Sequence, residues 1–458
     1  MPAIESFGVD TIPDSERSAK PKSLIPIFLG SNLSLSVMVF GWLAILYGLG
    51  FWQAVSAIVV GTVAGALFVS RTALLGWRAS TNNSVASGAF FGVRGRLVAS
   101  FVGLLLCIQY VALTVWTGGE VIAGVFARSS GVEPSNLVLA ASYLVIAVLV
   151  VIFAIYGYSV VAKLNTWISV LMGGLVLLTV IAFWPNFDPS YAGVPELYAL
   201  VDFWPTWLLA ALTAGAAGPI SYVTQTGDWS RYISASHSES EVVRSTFWAL
   251  VIGLTIPTVF GAFVATVAFD EFSFVAGFVA GSPEWMVLPL VLVGIVGSLG
   301  QGSMNLYSMG LDMDAIVPKL SRIQATVAVA SFATLLVFLG KFAYDAAAAV
   351  TNSVLFLTAL ATSWTAISLY GYLKIKGQFD QSDLQVFNTG RTGGRYWFTS
   401  GWNLKALVAW AVGSLVGIFG ISSVDYVGPI SNALQGVDVS IPLAAITGLA
   451  LYVVLQRD

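Results

Sequence analysis

Twelve apolar runs, each 18 to 28 residues long, divide the chain at about 24–48, 51–70, 97–124, 136–157, 160–184, 205–226, 243–269, 285–312, 324–341, 348–371, 404–421 and 437–455. A helix crosses the bilayer core with roughly 20 predominantly apolar residues, and in lipid only helices or closed barrels satisfy every backbone polar group. The pattern predicts an all-α polytopic membrane protein of twelve transmembrane helices. The remaining composition leaves little for anything else: 57% of the 458 residues are hydrophobic and 9% charged, against about 25% charge in a soluble domain. A soluble enzyme is excluded. So are a disulfide framework, a Cys/His zinc site and a bis-histidine haem, because Cys107 and His237 are each the single residue of their type. A net charge of −3 without a long basic cluster argues against nucleic acid as a partner.

The first 22 residues are polar and charged and lack the apolar core and cleavage site of a secretory signal, so the first run is expected to be a retained span. Lys and Arg accumulate in cytoplasmic loops. With the N-terminus inside, 18 of the 20 basic residues fall on the cytoplasmic side, and only Arg128 and Lys341 fall outside. The expected protein therefore lies in the cytoplasmic membrane with both termini inside. Its organisation reads as a tail at 1–23, a transport core at 24–371, a cytoplasmic loop at 372–403 and two added helices with a short tail at 404–458. Segments 71–96 and 372–403 read as the two long polar connections.

Two spans carry breaks. The first holds Pro26, Gly30, Ser31, Asn32, Ser34 and Ser36, and the sixth holds Gly215, Gly218, Pro219, Ser221, Tyr222, Thr224 and Gln225. Freed backbone groups are tolerated at membrane depth only where they line a cavity or are buried in protein, and matched breaks in two halves point to a midplane binding site. Breaks five spans apart predict two inverted five-helix repeats, about 24–184 and 205–371, plus two helices. On the third span Tyr110 and Thr114 share a face, and on the eighth Gln301 and Asn305 do. Amides that donate and accept suit a heterocycle edge; the plainer alternatives are self-bonding of Thr114 and glue between helices. Gly61 and Gly65 read as a helix contact, Asp228 and Arg231 as an ion pair across one turn, Glu120 as interfacial and His237 as solvated.

Several of these residues carry a resemblance. Ile12-Pro13 with Glu16-Arg17, Gly30-Ser31-Asn32, Phe90-Phe91-Gly92 with Arg94-Gly95, Gly218-Pro219-Ile220-Ser221-Tyr222, Gly227-Asp228-Trp229-Ser230-Arg231-Tyr232 and Asn305 with Tyr307-Ser308 together resemble the nucleobase-cation-symport permeases for cytosine, purines, uracil, allantoin and thiamine. The resemblance implies a LeuT-like inverted repeat, alternating access, and a flat heterocycle held between aromatics of the third and sixth spans and an amide of the eighth. Carried over, the stacking aromatics fall on Tyr110 and Tyr222, the neighbouring polar residue on Thr114, and the amide on Asn305. Gly218, Ser221, Gln301, Ser31 and Asn32 complete the expected substrate set. Tyr110, Thr114 and Tyr222 depart from the commoner residues, which leaves the particular base open.

For the coupling cation, the resemblance directs attention to the carbonyl of Gly30 and to hydroxyls of the eighth span. Gly300-Gln301 stands where sodium-coupled relatives carry two hydroxyl residues, with Ser298 and Ser303 displaced to either side. Proton coupling is thus expected over sodium coupling, with no cofactor, no metal, no catalytic residue and no obligate protein partner. The rival readings are an amino-acid or other small-metabolite transporter of the same architecture, a membrane-embedded enzyme, for which no clustered nucleophile, base or metal ligands exist in the spans, and a receptor that does not transport.

Overall fold

The computed structural model describes Glu5, residues 7–343 and residues 346–456, with side chains outside 342–352. Arg457, counted above among the inside cations, lies beyond them. Among the described residues there is no strand; four isolated bridges, such as Leu49 with Gly193, fasten loops.

Among the described residues eight helices are long and apolar enough to span a bilayer: Phe51–Ala79, Leu97–Ser130, Asn136–Ile155, Tyr158–Asn186, Glu239–Val267, Glu284–Ile316, Arg322–Lys341 and Ser353–Lys374. The first span is a bent pair, Pro21–Asn32 with Leu35–Leu46, turned by 70°. The sixth is Phe203–Ala210, a wide π-turn at Ala211–Ala216, and a short helix at Ala217–Ile220. Leu404–Phe419 and Ser440–Leu455 close the set of twelve.

The bend has a local cause. At Leu33 (φ −72°, ψ 61°) the chain leaves the helix, and short polar side chains take over freed backbone groups. Asn32 Nδ2 donates to the Phe28 carbonyl at 2.8 Å, Ser34 N donates to Asn32 O at 2.7 Å, and the Ser34 and Ser36 hydroxyls bond each other at 2.8 Å. Ser and Asn are the residues that compete with a helix in this way. In the sixth span the π-turn coincides with close packing: an added Cβ on Gly61 would stand 1.9 Å from the Ala211 carbonyl oxygen, and one on Gly215 would stand 2.6 Å from Gly61 Cα. Gly61 and Gly65 are thus the contact between the second span and the broken sixth.

The third and eighth spans pack along their length, the seventh covers both halves of the first, and the fifth packs against the first and eighth. The broken first span thus packs on the fifth, seventh and eighth, and the broken sixth packs chiefly on the second. Exposed Leu144, Val148, Trp167, Val170, Leu177, Ile181 and Leu335 turn outward, as a lipid-facing surface requires.

Segment 71–96 differs from its reading as a polar connection. It folds into Ala73–Ala79, Asn83–Ala86 and Gly88–Phe91, and Leu75, Trp77, Asn82, Asn83 and Ser84 are all buried. Asn83 is spent on the sixth span, its Nδ2 donating to Val223 O at 2.7 Å and Thr226 Oγ1 at 2.8 Å, and Ser84 on the eighth. The third and eighth helices also run past their expected ends at 124 and 312, to Ser130 and Ile316, because Arg128 donates to Val279 O at 2.6 Å at one end and Asp312 is buried at the other.

Candidate functional site

Between the broken spans and the third and seventh lies a small cavity lined by Asn32, Phe40, Tyr110, Thr213, Gly218 and Tyr222 with Val37, Ala214, Leu254 and Thr258. Both candidate aromatics border it, one from the third span and one from the sixth. Tyr222 donates its hydroxyl to Asn32 Oδ1 at 2.8 Å, while Ser31 and Gln301 approach the same hydroxyl. This bond joins the two breaks directly. Phe28 leans on Tyr222 with ring centroids 5.1 Å apart, and Phe40 faces Tyr110 at 6.2 Å. The Tyr110 hydroxyl approaches Ser221, whose own hydroxyl donates to Gly218 O at 2.6 Å. Thr213 Oγ1 lines the cavity without a hydrogen-bond partner among the described residues.

Of the expected substrate set, then, Tyr110, Tyr222, Asn32 and Gly218 border the cavity, and Ser31, Ser221 and Gln301 stand just behind it. Thr114 and Asn305 are placed further away. Thr114 donates to the Tyr110 carbonyl at 2.6 Å and meets Ser36 at 3.2 Å; Asn305 Nδ2 donates to Gln301 O at 3.0 Å on its own helix. Phe40, Thr213 and Thr258 were missed. For Thr213 the signal was available, since it is the first polar residue before the Gly215–Gly218 break; Phe40 and Thr258 look like any membrane side chain.

A second space, lined by Phe40, Trp42, Leu113, Trp116, Glu120, Phe272 and Phe274 among others, lies on the side of the Glu120–Lys341 ion pair (2.6 Å). Phe40 belongs to both spaces and is the side chain that divides them.

Around the expected cation position, the Gly30 carbonyl oxygen lies against Gly300: a Cβ on Gly300 would be 2.6 Å from it and 3.1 Å from Asn165 Oδ1. Ser298 Oγ donates instead to Thr114 O at 3.3 Å, and Ser303 Oγ to Gly300 O at 3.3 Å. Asn165 Oδ1, buried and without a hydrogen-bond partner among the described residues, is a side-chain oxygen at this junction that residue order did not reveal.

The opposite end is closed by the N-terminal segment. Glu5 takes hydrogen bonds from Tyr158 N (2.7 Å) and the Tyr232 and Tyr307 hydroxyls, and its carboxylate lies 3.4 Å from Arg231 and 3.8 Å from Arg322. Arg231 also donates to Gly8 O at 2.6 Å and Tyr307 Oη at 2.8 Å. The expected Asp228–Arg231 ion pair is therefore replaced by a long-range one, because the buried guanidinium finds more acceptors in the tail than one turn back. His237, read as solvated, sits 3.5 Å from Glu241 and is partly covered.

Known proteins match the chain over nearly its whole length. The family model described as permease for cytosine/purines, uracil, thiamine, allantoin matches residues 11–443. The chain is 22% identical over 479 aligned positions to YxlA, a purine-cytosine permease homologue of Bacillus subtilis, covering 99% of this chain and 96% of that protein. It is 21% identical over 355 positions to the purine-cytosine permease FCY2 of Saccharomyces cerevisiae, covering 70% and 62%. Among solved structures it superposes on Mhp1, a nucleobase-cation-symport-1 family transporter in a closed conformation with bromovinylhydantoin bound, with a TM-score of 0.76 at 18% identity, covering 98% of this chain and 94% of that one. The fold is accordingly the LeuT-like five-plus-five inverted repeat with two added helices, and the chain is a multi-pass membrane protein that belongs to the family of permeases for cytosine/purines, uracil, thiamine and allantoin.

Proposed function

We propose that this permease imports a flat, polar heterocycle by alternating access, binding it in the cavity between Tyr110 and Tyr222. The observation that carries the reading is the joint exposure to one cavity of a tyrosine from the unbroken third span and a tyrosine from the broken sixth, beside an unpartnered Thr213 hydroxyl. Two rings offer the faces on which a planar ligand stacks. Thr213 and Asn32 offer polar groups to its edge, with the Gln301 amide just behind them, while Asn305 stays bonded to its own helix. Gly218 leaves room beside the ring, with Leu254 as its nearest side chain across the gap.

The coupling ion in this reading is the proton. Ser298 is turned to the third span and Ser303 to its own helix, so the Gly30 carbonyl lacks the pair of hydroxyl ligands that sodium would need to replace its hydration shell. No resident cofactor or covalent chemistry enters the cycle. The protein sits in the cell membrane with its N-terminus and the 372–403 loop in the cytoplasm: Arg17, Arg78, Arg96, Arg231 and Arg322 gather at one end of the bundle, tied to Asp14, Glu239, Asn388 and Glu5, as cations do on the cytoplasmic side.

A thermal-shift panel on purified protein tests the substrate class. Cytosine, uracil, purines, hydantoins and allantoin are compared with the twenty amino acids, since a ligand that binds only the folded state raises its stability. Stabilisation by a heterocycle supports the reading; stabilisation by amino acids alone overturns it.

A further inference from the structure

Two buried carboxyl groups below the cavity have no structural task that accounts for them. Asp312 follows Asn305 by seven residues, two turns or about 10 Å along the same helix toward the end closed by the N-terminal segment. It is 3% exposed, and its Oδ1 accepts from Ser84 Oγ at 2.8 Å. Its Oδ2 lies against Gly103 on the third span: a Cβ there would stand 2.3 Å from Oδ2 and 2.8 Å from Thr224 Oγ1. That threonine hydroxyl, 2% exposed, has no hydrogen-bond partner among the described residues. Asp228, also 2% exposed, leaves Oδ1 unpartnered and approaches Ser308, one turn before Asp312.

A carboxylate kept for stability inside a bundle is paired with a cation or saturated with donors. Among the described residues neither aspartate makes an ion pair. The charged and titratable groups that face them are few. Arg231 acts on Asp228 but is committed to Gly8, Tyr307 and Glu5; Glu5 adds a like charge; and the Cys107 thiol of the third span feels both. Ionisable groups placed this way in a spanning bundle mark proton and ion pathways. The third, sixth and eighth spans that meet here also carry Tyr110, Tyr222 and Asn305, so any movement that opens the cavity inward moves this compartment too.

Resting on the reading of the chain as a cation symporter, we propose that Asp312 is its proton-binding residue, with Asp228 as the neighbouring carboxyl of the same compartment, and that the proton is taken up from the cavity side and released when the inner end opens. In the loaded state the Asp312 carboxyl keeps the Ser84 bond on Oδ1 and donates its Oδ2 proton to the unpartnered Thr224 hydroxyl. Release returns the proton to cytoplasmic water and leaves a carboxylate behind, so the step needs no other reactant.

Two measurements on the full-length protein test this. The first uses no substrate: infrared difference spectra of purified protein between acid and alkaline pH. A titrating carboxylic-acid C=O band that vanishes in Asp312→Asn and shifts in Asp228→Asn supports the site; a band unaltered in both variants overturns it. The second uses vesicles and whichever of labelled cytosine, uracil, hypoxanthine or allantoin the wild type exchanges. A gradient of one pH unit drives about tenfold accumulation at one proton per substrate. The ratio of uptake with and without the gradient is expected to fall to about one in Asp312→Asn and to recover in Asp312→Glu. An unchanged ratio in both asparagine variants overturns the proposal. If the wild type exchanges no compound of the panel, the transport reading fails, while the infrared result still decides the proton site.

Discussion

Removing one hydroxyl, in Tyr222→Phe, should disturb the whole cavity. The Tyr222 hydroxyl donates to Asn32 Oδ1 at 2.8 Å, with Tyr222 2% and Asn32 0% exposed. Asn32 has its Nδ2 fixed on the Phe28 carbonyl, so its amide cannot turn to find another donor without giving up the bond that satisfies the break. Phenylalanine preserves the ring and its contact with Phe28 but strands the Asn32 oxygen. A buried acceptor left unsatisfied costs about 1–3 kcal/mol, or roughly 5- to 150-fold in an equilibrium constant. The cost falls on the arrangement in which the two breaks are tied together. Half-saturation for exchange of a labelled heterocycle in vesicles should rise within that range. Asn32→Ala should lose affinity too, and the double variant should lose less than the sum, because each change removes the same bond. Unchanged half-saturation and unchanged melting temperature in Tyr222→Phe would show that the hydroxyl does not organise the site.

Tyr110→Ala should weaken heterocycle binding several-fold, since stacking is worth about 0.5–1.5 kcal/mol beyond the buried area, whereas Tyr110→Phe should retain most of it; equal losses in calorimetry would argue against stacking. Gly30→Ala would bring a Cβ to 1.9 Å from the Asn165 carbonyl oxygen, a backbone atom of the fifth span, so an overpacking cost of about 1–3 kcal/mol should appear as a lower melting temperature; a wild-type melting curve would refute that contact. Glu5→Ala should destabilise far more than Arg78→Ala. It uncovers buried Arg231, a loss of about 3–5 kcal/mol, while the half-exposed Arg78–Glu239 pair is worth about 0–1 kcal/mol. Equal shifts in melting temperature would contradict the role given to the N-terminal segment.

Much of the architecture could be read from residue order because lipid punishes irregular backbone. Pro26, Gly30 and the Ser and Asn residues around them have no reason to sit in a spanning helix unless it breaks, and it breaks at Leu33. Tyr110 and Tyr222 were legible for a similar reason, as polar aromatics at mid-span on the two helices expected to face inward. What could not be read depended on partners remote in sequence. Asn83 and Ser84 look like loop residues until the sixth and eighth spans close over them. Arg231 meets Glu5 at a separation of 226 residues. Asp312 sat at the margin of an apolar run, where a carboxylate normally marks the end of a span, and only tertiary packing makes it buried.

The most direct test of the account is uptake of labelled heterocycles into vesicles holding the purified wild-type protein and, in parallel, Tyr110→Ala and Tyr222→Ala. The account predicts saturable accumulation of at least one flat heterocycle by the wild type, driven by an inward proton gradient in sodium-free buffer, and weakened affinity in both variants. Absence of saturable uptake for every heterocycle, or uptake whose half-saturation is the same in both alanine variants as in the wild type, would contradict it.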